Sequence, residues 1–290
     1  MKVTGFTFIR NALTYDYPIQ EAILSILPIC DEFVVAVGRS EDATLALIQG
    51  IDSKKIRIVE TVWDDRLRVG GKVLAEETNK AFAAITADSD WAFYIQGDEV
   101  VHEDYLDEIY QQMKRWKDVP EVDGLLFNYL HFYGSYDYVG TSSKWYPHEI
   151  RIIKNNKSIY SYRDAQGFRK GDNQKLKVKA IDAYVYHYGW VKPPSIMQQK
   201  QEEFNKLWHS DDWVNQHVIK AKEFDYSRID TLQKFTANHP KVMEARIQQK
   251  NWQFDYDLSK NASSWKERGK QLAKRYLGLD FSYKNYEIIK

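Results

Sequence analysis

Two short acidic clusters in this chain each follow an apolar run of the kind that forms a buried strand. Residues 38–44, Gly-Arg-Ser-Glu-Asp-Ala-Thr, follow one such run, and Asp98 and Glu99 follow residues 91–95. Parallel strands deliver such groups to one edge of a sheet, where open α/β sheets bind their ligands. Mg²⁺ is typically held by one or two carboxylates together with substrate phosphates. The pattern therefore predicts a metal-bound phosphate ligand at this edge, with Asp98 as the metal ligand.

A helix cap is the alternative role for these two carboxylates, because a helix is predicted to begin near Tyr105. Glu103 and Asp104 precede that helix more closely and suit the cap better. His187 ends a later predicted strand, and imidazole is a common ligand of Mn²⁺ and its neighbours. A lone histidine among aromatic residues is also a common packing residue, so the residue type alone leaves both roles for His187 open.

Asp164 lies in a polar loop between two predicted strands, where a carboxylate could act as a general base on an acceptor hydroxyl. An Asx turn is the equally simple alternative for Asp164. Glu149 is the competing base. Arg68 and Arg151 are among the arginines whose guanidinium groups could pair with a diphosphate.

The order of elements predicts an α/β fold with a mostly parallel sheet. Strands are predicted at 3–9, 32–37, 56–62 and 91–95, and they alternate with helices at 19–27, 42–50 and 72–85. A second part follows, with a helix at 105–116 and strands at 124–132, 149–154 and 178–187. The predicted organisation is a domain over 1–194, with halves 1–104 and 105–194, and a helical extension over 195–290.

Composition narrows the partners and the location. The 41 basic and 41 acidic residues balance, which argues against a nucleic-acid partner, and the single Cys30 excludes an internal disulfide. No apolar stretch is long enough to span a bilayer, and the N-terminus is predicted as a strand and not a signal peptide, so a cytoplasmic location is expected. Residues 241–290 carry eleven Lys and Arg against six Asp and Glu. That excess predicts either a solvated helical face or peripheral contact with the inner face of the plasma membrane.

The order and spacing of these motifs over about residues 1–200 resemble family 2 glycosyltransferases of the GT-A fold. That family has Asp-Asp-Gly-Ser-x-Asp-x-Thr after its second strand, and residues 38–44 keep its Ser, Asp and Thr. Its later Asp-x-Asp element corresponds to residues 96–98, Gln-Gly-Asp. The loop around Asp164 and residues 187–190, His-Tyr-Gly-Trp, resemble the lipopolysaccharide-core glucosyltransferase branch.

The resemblance implies a Rossmann-like central sheet with helices on both faces. It also implies an inverting bacterial enzyme that moves a sugar from a nucleotide diphosphate sugar to a saccharide or lipid-linked acceptor, in assembly of cell-surface polysaccharide or lipopolysaccharide. A divalent metal, Mn²⁺ or Mg²⁺, is the implied cofactor. The implied site residues are Asp164 or Glu149 as base; Arg10, Asn11, Gly38, Ser40, Asp42, Arg68, Gln96, Asp98 and Arg151 for the donor; and Asp98, Glu99 and His187 for the metal.

Two departures from the family pattern support a second hypothesis. Gly38 stands where the family has the aspartate that contacts the nucleobase, and Gln96 replaces the ribose-contacting aspartate. A non-catalytic GT-A-like module that binds carbohydrate or protein is therefore the alternative. A sugar nucleotidyltransferase is disfavoured, because residues 8–12 lack the glycines of its phosphate loop. Aromatic residues are predicted to orient the sugars: Tyr133, Tyr136, Tyr138 and Trp145.

Overall fold

The computed structural model of the protein describes residues 1–64, 66–67, 69–218, 220–229, 231–261 and 284–290. The predicted donor residue Arg68 lies outside these ranges. The strands are β1 (Val3–Ile9), β2 (Glu32–Gly38), β3 (Ile56–Thr61), β4 (Trp91–Tyr94), β5 (Glu99–Val101), β6 (Gly124–Tyr133), β7 (Tyr138–Gly140), β8 (His148–Lys154), β9 (Ile159–Tyr162), β10 (Gly167–Lys170), β11 (Gln174–Trp190), β12 (Leu232–Lys234) and β13 (Tyr286–Ile288). The α-helices are α1 (Ile19–Ile26), α2 (Thr44–Gln49), α3 (Lys72–Ala83), α4 (Leu106–Trp116), α5 (Pro194–Lys206), α6 (Asp211–His217) and α7 (Glu244–Gln248).

The first half of the sheet is parallel and is covered on both faces. Strands β3, β2, β1 and β4 lie side by side in that order, all parallel. Phe33 and Val35 of β2 pack in one core cluster with α1 and α4, whereas Val34 and Ala36 pack in another with α3. This alternation explains the unbroken apolar run of β2, since each of its faces is buried. The predicted α/β class, with helices on both faces of a central sheet, is confirmed.

The second half of the sheet is mixed. Strand β8 runs antiparallel between β4 and β6, and the 17-residue β11 runs parallel to β6. The strand predicted at 178–187 is the middle of β11, which also pairs with β5, β10 and β13. The short strands β5, β7, β9, β10, β12 and β13 were not predicted, because three or four residues are too few to show a period.

The sequence predicts a helical extension over 195–290, but the described part of this range also contains strands. It contains α5, α6 and α7, but β12 pairs with β7, and β13 returns to the sheet beside β11. Residues 262–283 of the predicted membrane-contact segment lie outside the described residues. Across the described ranges, no helix has both the length and the apolar character needed to cross a bilayer.

A buried ion pair joins the strand end at Asp98 to the second half of the sheet. Arg151 of β8 donates from Nε and Nη2 to the two oxygens of Glu99, at 2.8 and 2.7 Å, and both side chains are almost fully buried. The Tyr129 hydroxyl also donates to Glu99, at 2.8 Å. From Nη1, Arg151 donates to the carbonyl oxygen of Gln166 at 3.1 Å. The same guanidinium therefore anchors both the segment that follows Asp98 and the loop that carries Asp164.

Replacing Arg151 with Met should lower the free energy of unfolding by about 3–5 kcal/mol, because Glu99 would remain as an unpaired buried charge. The double variant Glu99→Gln, Arg151→Met should recover part of that loss, since it leaves no uncompensated charge. Urea unfolding measures both. Lys114→Met, at an exposed position of α4, is the control and should change the value by less than about 0.5 kcal/mol. An Arg151→Met protein as stable as this control would contradict the anchoring role.

Candidate functional site

A cavity of about 1050 Å³ opens at the carboxyl ends of β1 and β4. Its walls come from the sheet edge, from the loop between β9 and β10, from the end of β11, and from α5 and α6. Helix α5 therefore belongs to the same site as the sheet, although the sequence had assigned it to a separate extension. Six of the predicted site residues line this cavity: Arg10, Asn11, Gln96, Asp98, Asp164 and His187.

Asp98 is held in the cavity wall by backbone pairing and by charge. The backbone N–H of Tyr188 donates to the carbonyl oxygen of Asp98 at 2.8 Å, so the end of β11 lies against this turn. The Lys200 ammonium is 3.3 Å from Asp98 Oδ2, and His187 Nε2 is 3.8 Å from Oδ1. Burial by itself favours the neutral acid, but the nearby positive charge, above all that of Lys200, lowers the pKa of Asp98 to about 2. The carboxylate is therefore ionised across the physiological range.

The hydrogen bonds of His131 fix the tautomer of His187. His131 Nε2 lies 2.8 Å from the carbonyl oxygen of Tyr146, which can only accept, so this nitrogen carries the His131 proton. His131 Nδ1 then accepts from His187 Nδ1, 3.1 Å away. Burial lowers the pKa of His187, so the ring is neutral and its Nε2 presents a lone pair beside Asp98. His187 Nε2 can therefore accept a proton or a hydrogen bond from a ligand.

Gly189 is required for these groups to meet. A Cβ at this position would lie 2.7 Å from His187 Nε2 and 2.8 Å from Asp98 Oδ2. The Gly189 carbonyl oxygen also accepts from Lys200 Nζ at 3.0 Å. Only glycine leaves room for the imidazole, the carboxylate and the ammonium to converge on one point.

Asp164 lies in a strained loop that is held at two points. Arg163 and Ala165 on either side of it both have positive φ, 55° and 64°, a conformation that costs energy for side chains other than glycine. Gln96 Nε2 donates to the Ala165 carbonyl oxygen at 3.1 Å, and Arg151 holds the next carbonyl oxygen. Burial raises the pKa of Asp164, which makes its carboxylate a better proton acceptor. The predicted role of Asp164 as a base is compatible with this geometry.

The predicted donor residues Ser40 and Asp42 have a different role, because they do not line the cavity and instead tie two loops together. Ser40 Oγ accepts from the backbone N–H of Asn11 at 3.0 Å, and Asp42 accepts from the backbone N–H and hydroxyl of Thr14 at 2.8 and 2.9 Å. Burial raises the pKa of Asp42, but the hydrogen bonds from Thr44 and Thr14 outweigh it and lower the value overall. These hydrogen bonds position Asn11 at the cavity, whereas Ser40 and Asp42 do not line it themselves.

The predicted base-contacting position, Gly38, is covered by an indole ring. A Cβ on Gly38 would lie 2.3 Å from Trp63 Nε1, so the absence of a side chain makes room for Trp63. The guanidinium of Arg10 stacks on the same indole, 5.4 Å from its centroid. Trp63 and Arg10 both line the cavity, and they present an aromatic and cationic surface where the family resemblance placed an aspartate.

The structure contradicts the predicted roles of Glu99 as a metal ligand and of Arg151 as a diphosphate ligand. Each is saturated by the other in the buried ion pair, and neither lines the cavity. The predicted metal site then retains Asp98 and His187, and one oxygen of Asp98 already contacts an ammonium. Within the described ranges, no three His, Cys, Asp or Glu side chains converge as a metal-binding group. Without substrate phosphates, this donor set does not fit a resident Mn²⁺ or Mg²⁺ ion, because a second cation on Asp98 would be repelled by Lys200.

Lys200 is a charged cavity residue that the sequence analysis missed. It lies on α5 with Met197 one turn before it and Phe204 one turn after it, both of which pack in apolar clusters. A lysine on the apolar face of a predicted helix was the available signal. The predicted aromatic residues do not line the cavity: Tyr133, Tyr136 and Tyr138 are buried in apolar clusters, and Trp145 is also absent from the lining. The aromatic residues that line it are Phe8, Tyr15, Tyr17, Trp63, Tyr146, Trp190 and Phe204.

No family model and no curated protein matches this chain. The similar proteins are all solved structures. Staphylococcus aureus TarS is 14% identical, with a TM-score of 0.42, over 70% of this chain and 39% of TarS. Glucosyl-3-phosphoglycerate synthase of Mycobacterium tuberculosis, determined with Mn²⁺, UDP and phosphoglyceric acid, is 18% identical, with a TM-score of 0.30, over 45% of this chain and 43% of its own.

A structure of a different enzyme is similar to a comparable degree. The 4-diphosphocytidyl-2C-methyl-D-erythritol synthase of Anaerococcus prevotii is 13% identical, with a TM-score of 0.38, over 66% of this chain and 89% of its own. These identities and TM-scores are too low to assign a function to this chain, so its function has to be inferred from the residues of its own cavity.

Glu149, the competing base, does not line the cavity. Its side chain is buried in β8, and Oε2 has no hydrogen-bond partner among the described residues. Burial, opposed by Arg151 and reinforced by Glu99, raises the pKa of Glu149 to about 8. A neutral, enclosed acid of this kind fits a packing role, so Asp164 is the remaining candidate base.

Glu149→Gln should reduce the pH dependence of stability between about pH 5 and about pH 8. The unfolded chain releases this proton near the ordinary pKa of 4.5, whereas the folded chain keeps it to about 8, so wild-type stability falls as pH rises through this window. Glutamine is neutral throughout and removes that slope. Urea unfolding at several pH values measures it, with the exposed Glu121→Gln as control. A slope equal to that of wild type would show that Glu149 is ionised in the folded protein.

Proposed function

We propose that this protein is a glycosyltransferase that uses a nucleotide diphosphate sugar as donor and a hydroxyl group as acceptor. The observation that carries the proposal is the pair of carboxylates in the cavity. Asp98 is held ionised beside an ammonium, whereas burial raises the pKa of Asp164. Two carboxyl groups whose environments move their pKa values apart are typical of sites with divided chemical roles. We assign Asp98 to the donor side and Asp164 to the acceptor side.

The cavity has surfaces that suit each part of such a donor. Trp63 and the apolar residues Phe8, Val73 and Leu74 suit a nucleobase, which has a flat apolar face. Arg10 and Lys200 supply cations for the diphosphate. The carboxyl edge of the parallel strands is also where open α/β sheets bind nucleotides.

The reaction follows from these positions. Asp164 removes the proton of the acceptor hydroxyl as its oxygen attacks the anomeric carbon. The bond between that carbon and the diphosphate oxygen breaks, and the leaving nucleoside diphosphate takes the electron pair. Attack on the face opposite the leaving group inverts the configuration at the anomeric carbon. The Lys200 ammonium beside Asp98 stabilises the charge that develops on the diphosphate.

The acceptor and the setting follow from the sequence resemblance and are part of the proposal. We propose a saccharide or lipid-linked acceptor, in bacterial polysaccharide or lipopolysaccharide assembly at the cytoplasmic side of the membrane. Tyr15, Tyr146 and Trp190 line the cavity and could stack against sugar rings. Family 2, and its lipopolysaccharide-core branch, is the proposed classification.

A donor panel tests the function. Purified protein is incubated with uridine, guanosine, adenosine and thymidine diphosphate sugars, with and without Mn²⁺, and release of free sugar is measured. Slow hydrolysis of one class of donor is expected, since water can replace the acceptor. Binding of a donor without hydrolysis or transfer would favour the non-catalytic module instead. A protein that neither binds nor hydrolyses any of these donors would contradict the proposal.

Asp164→Asn should separate chemistry from donor binding. The amide keeps the shape of the side chain but cannot accept the proton, so turnover with acceptor should fall ~10²–10⁴-fold while donor affinity changes little. Turnover and titration of the donor are the two measurements. Asp172→Asn, at an exposed turn beside β11, is the matched control and should be unaffected. Full turnover by Asp164→Asn would reassign Asp164 to the turn, and a collapse of affinity would move the loop to the donor site.

A further inference from the structure

Lys200 has the geometry of a binding group and not of a solvated surface lysine. Its ammonium is 3.3 Å from Asp98 Oδ2 and 3.0 Å from the Gly189 carbonyl oxygen, and only 11% of the side chain is exposed. The ammonium also lies 4.8 Å from the centroid of the Tyr17 ring. Three separate chain segments therefore hold one positive charge at a single point of the cavity wall.

A departing nucleoside diphosphate requires a positive charge that is already in place. Metal ions supply this charge in many phosphate sites, acting as Lewis acids. Here the carboxylate that the sequence assigned to a metal is paired with a lysine, and the second predicted carboxylate, Glu99, is spent on Arg151. The described donor set offers a divalent ion two side chains, one of them shared with an ammonium.

We propose that Lys200 takes the place of the divalent ion and binds the diphosphate of the donor directly. This inference rests on the proposed function, and it deepens it by predicting a glycosyl transfer that needs no added metal. Asp98 is then the residue that positions the ammonium. Gly189 also helps to keep the ammonium beside Asp98, since a Cβ at this position would lie 2.8 Å from Asp98 Oδ2 and displace the carboxylate.

The placement of Lys200 meets the requirements of electrostatic preorganisation. The ammonium is fixed before the ligand arrives, so little reorganisation is needed when charge develops on the leaving group. Its position on α5, a helix of 13 residues that packs over the cavity, gives it a rigid support. Four further carboxylates line the cavity at Glu41, Asp64, Glu203 and Asp211. Asp64 and Glu203 are each paired with a cation, Arg66 and Lys206, and so these two oppose an incoming anion less.

Titration of UDP, GDP, ADP and dTDP into the wild type and Lys200→Met, in EDTA and then in Mn²⁺, tests the inference. The wild type should bind one of them in EDTA within about threefold of its affinity in Mn²⁺. Lys200→Met should lose ~10–100-fold in EDTA, the range for a charge-assisted hydrogen bond, and lose less for the nucleoside monophosphate. Lys200→Arg, which keeps the charge, should retain most of the binding and covers the case in which Lys200→Met fails to fold. Lys114→Met, on the exposed face of α4, is the control.

The outcomes separate this inference from the function itself. A wild type that binds the diphosphate only in Mn²⁺, or a folded Lys200→Met protein that binds like wild type in EDTA, overturns the role of Lys200 and leaves the glycosyltransferase proposal standing. A wild type that binds none of these four nucleotides in either condition overturns both. Metal-independent binding that is lost in Lys200→Met supports both.

Discussion

The buried ion pair between Glu99 and Arg151 is the interaction on which the geometry of the site depends. Removing two charges from water is costly, and here the cost is offset by a bidentate contact, the Tyr129 hydroxyl and a carbonyl oxygen of the Asp164 loop. Glu99 directly follows Asp98, and Arg151 holds the residue two places after Asp164. The two carboxylates with proposed chemical roles are therefore positioned by the same pair of side chains, from opposite sides.

A second constraint comes from β11, which carries His187 and Gly189 to the turn at Asp98. The pairing of β11 with β5 places His187 opposite Glu99, and its pairing with β6 places it beside His131. His131 sets the tautomer of His187, and Gly189 leaves the space in which Lys200 reaches Asp98. The polar centre of the cavity is thus a product of strand register, so a shift of one residue in β11 would remove it.

The sequence predicted what is local and missed what depends on long-range pairing. The range 3–9 predicted for the first strand matches β1, and Asp98 and Asp164 line the cavity. These features were predictable because a few consecutive residues are enough to indicate the end of a strand or a polar loop. Glu99 was predicted as a metal ligand because no residue near it in the sequence indicates its partner, Arg151. Arg151 is 52 positions away and comes close to Glu99 because β8 lies between β4 and β6 in the sheet. Ser40 and Asp42 were predicted to contact the donor, whereas the structure pairs them with Asn11 and Thr14, which are 29 and 28 positions away.

The central claim is that a nucleoside diphosphate binds in this cavity with its phosphates beside Lys200 and Asp98. A crystal structure of the wild-type protein, grown in EDTA with the nucleoside diphosphate that binds in titration, tests it most directly. The account predicts density for the base against Trp63 and for the diphosphate in contact with the Lys200 ammonium, with the space next to Asp164 open for an acceptor. Density for the nucleotide outside this cavity, or for phosphates that avoid Lys200, would contradict it.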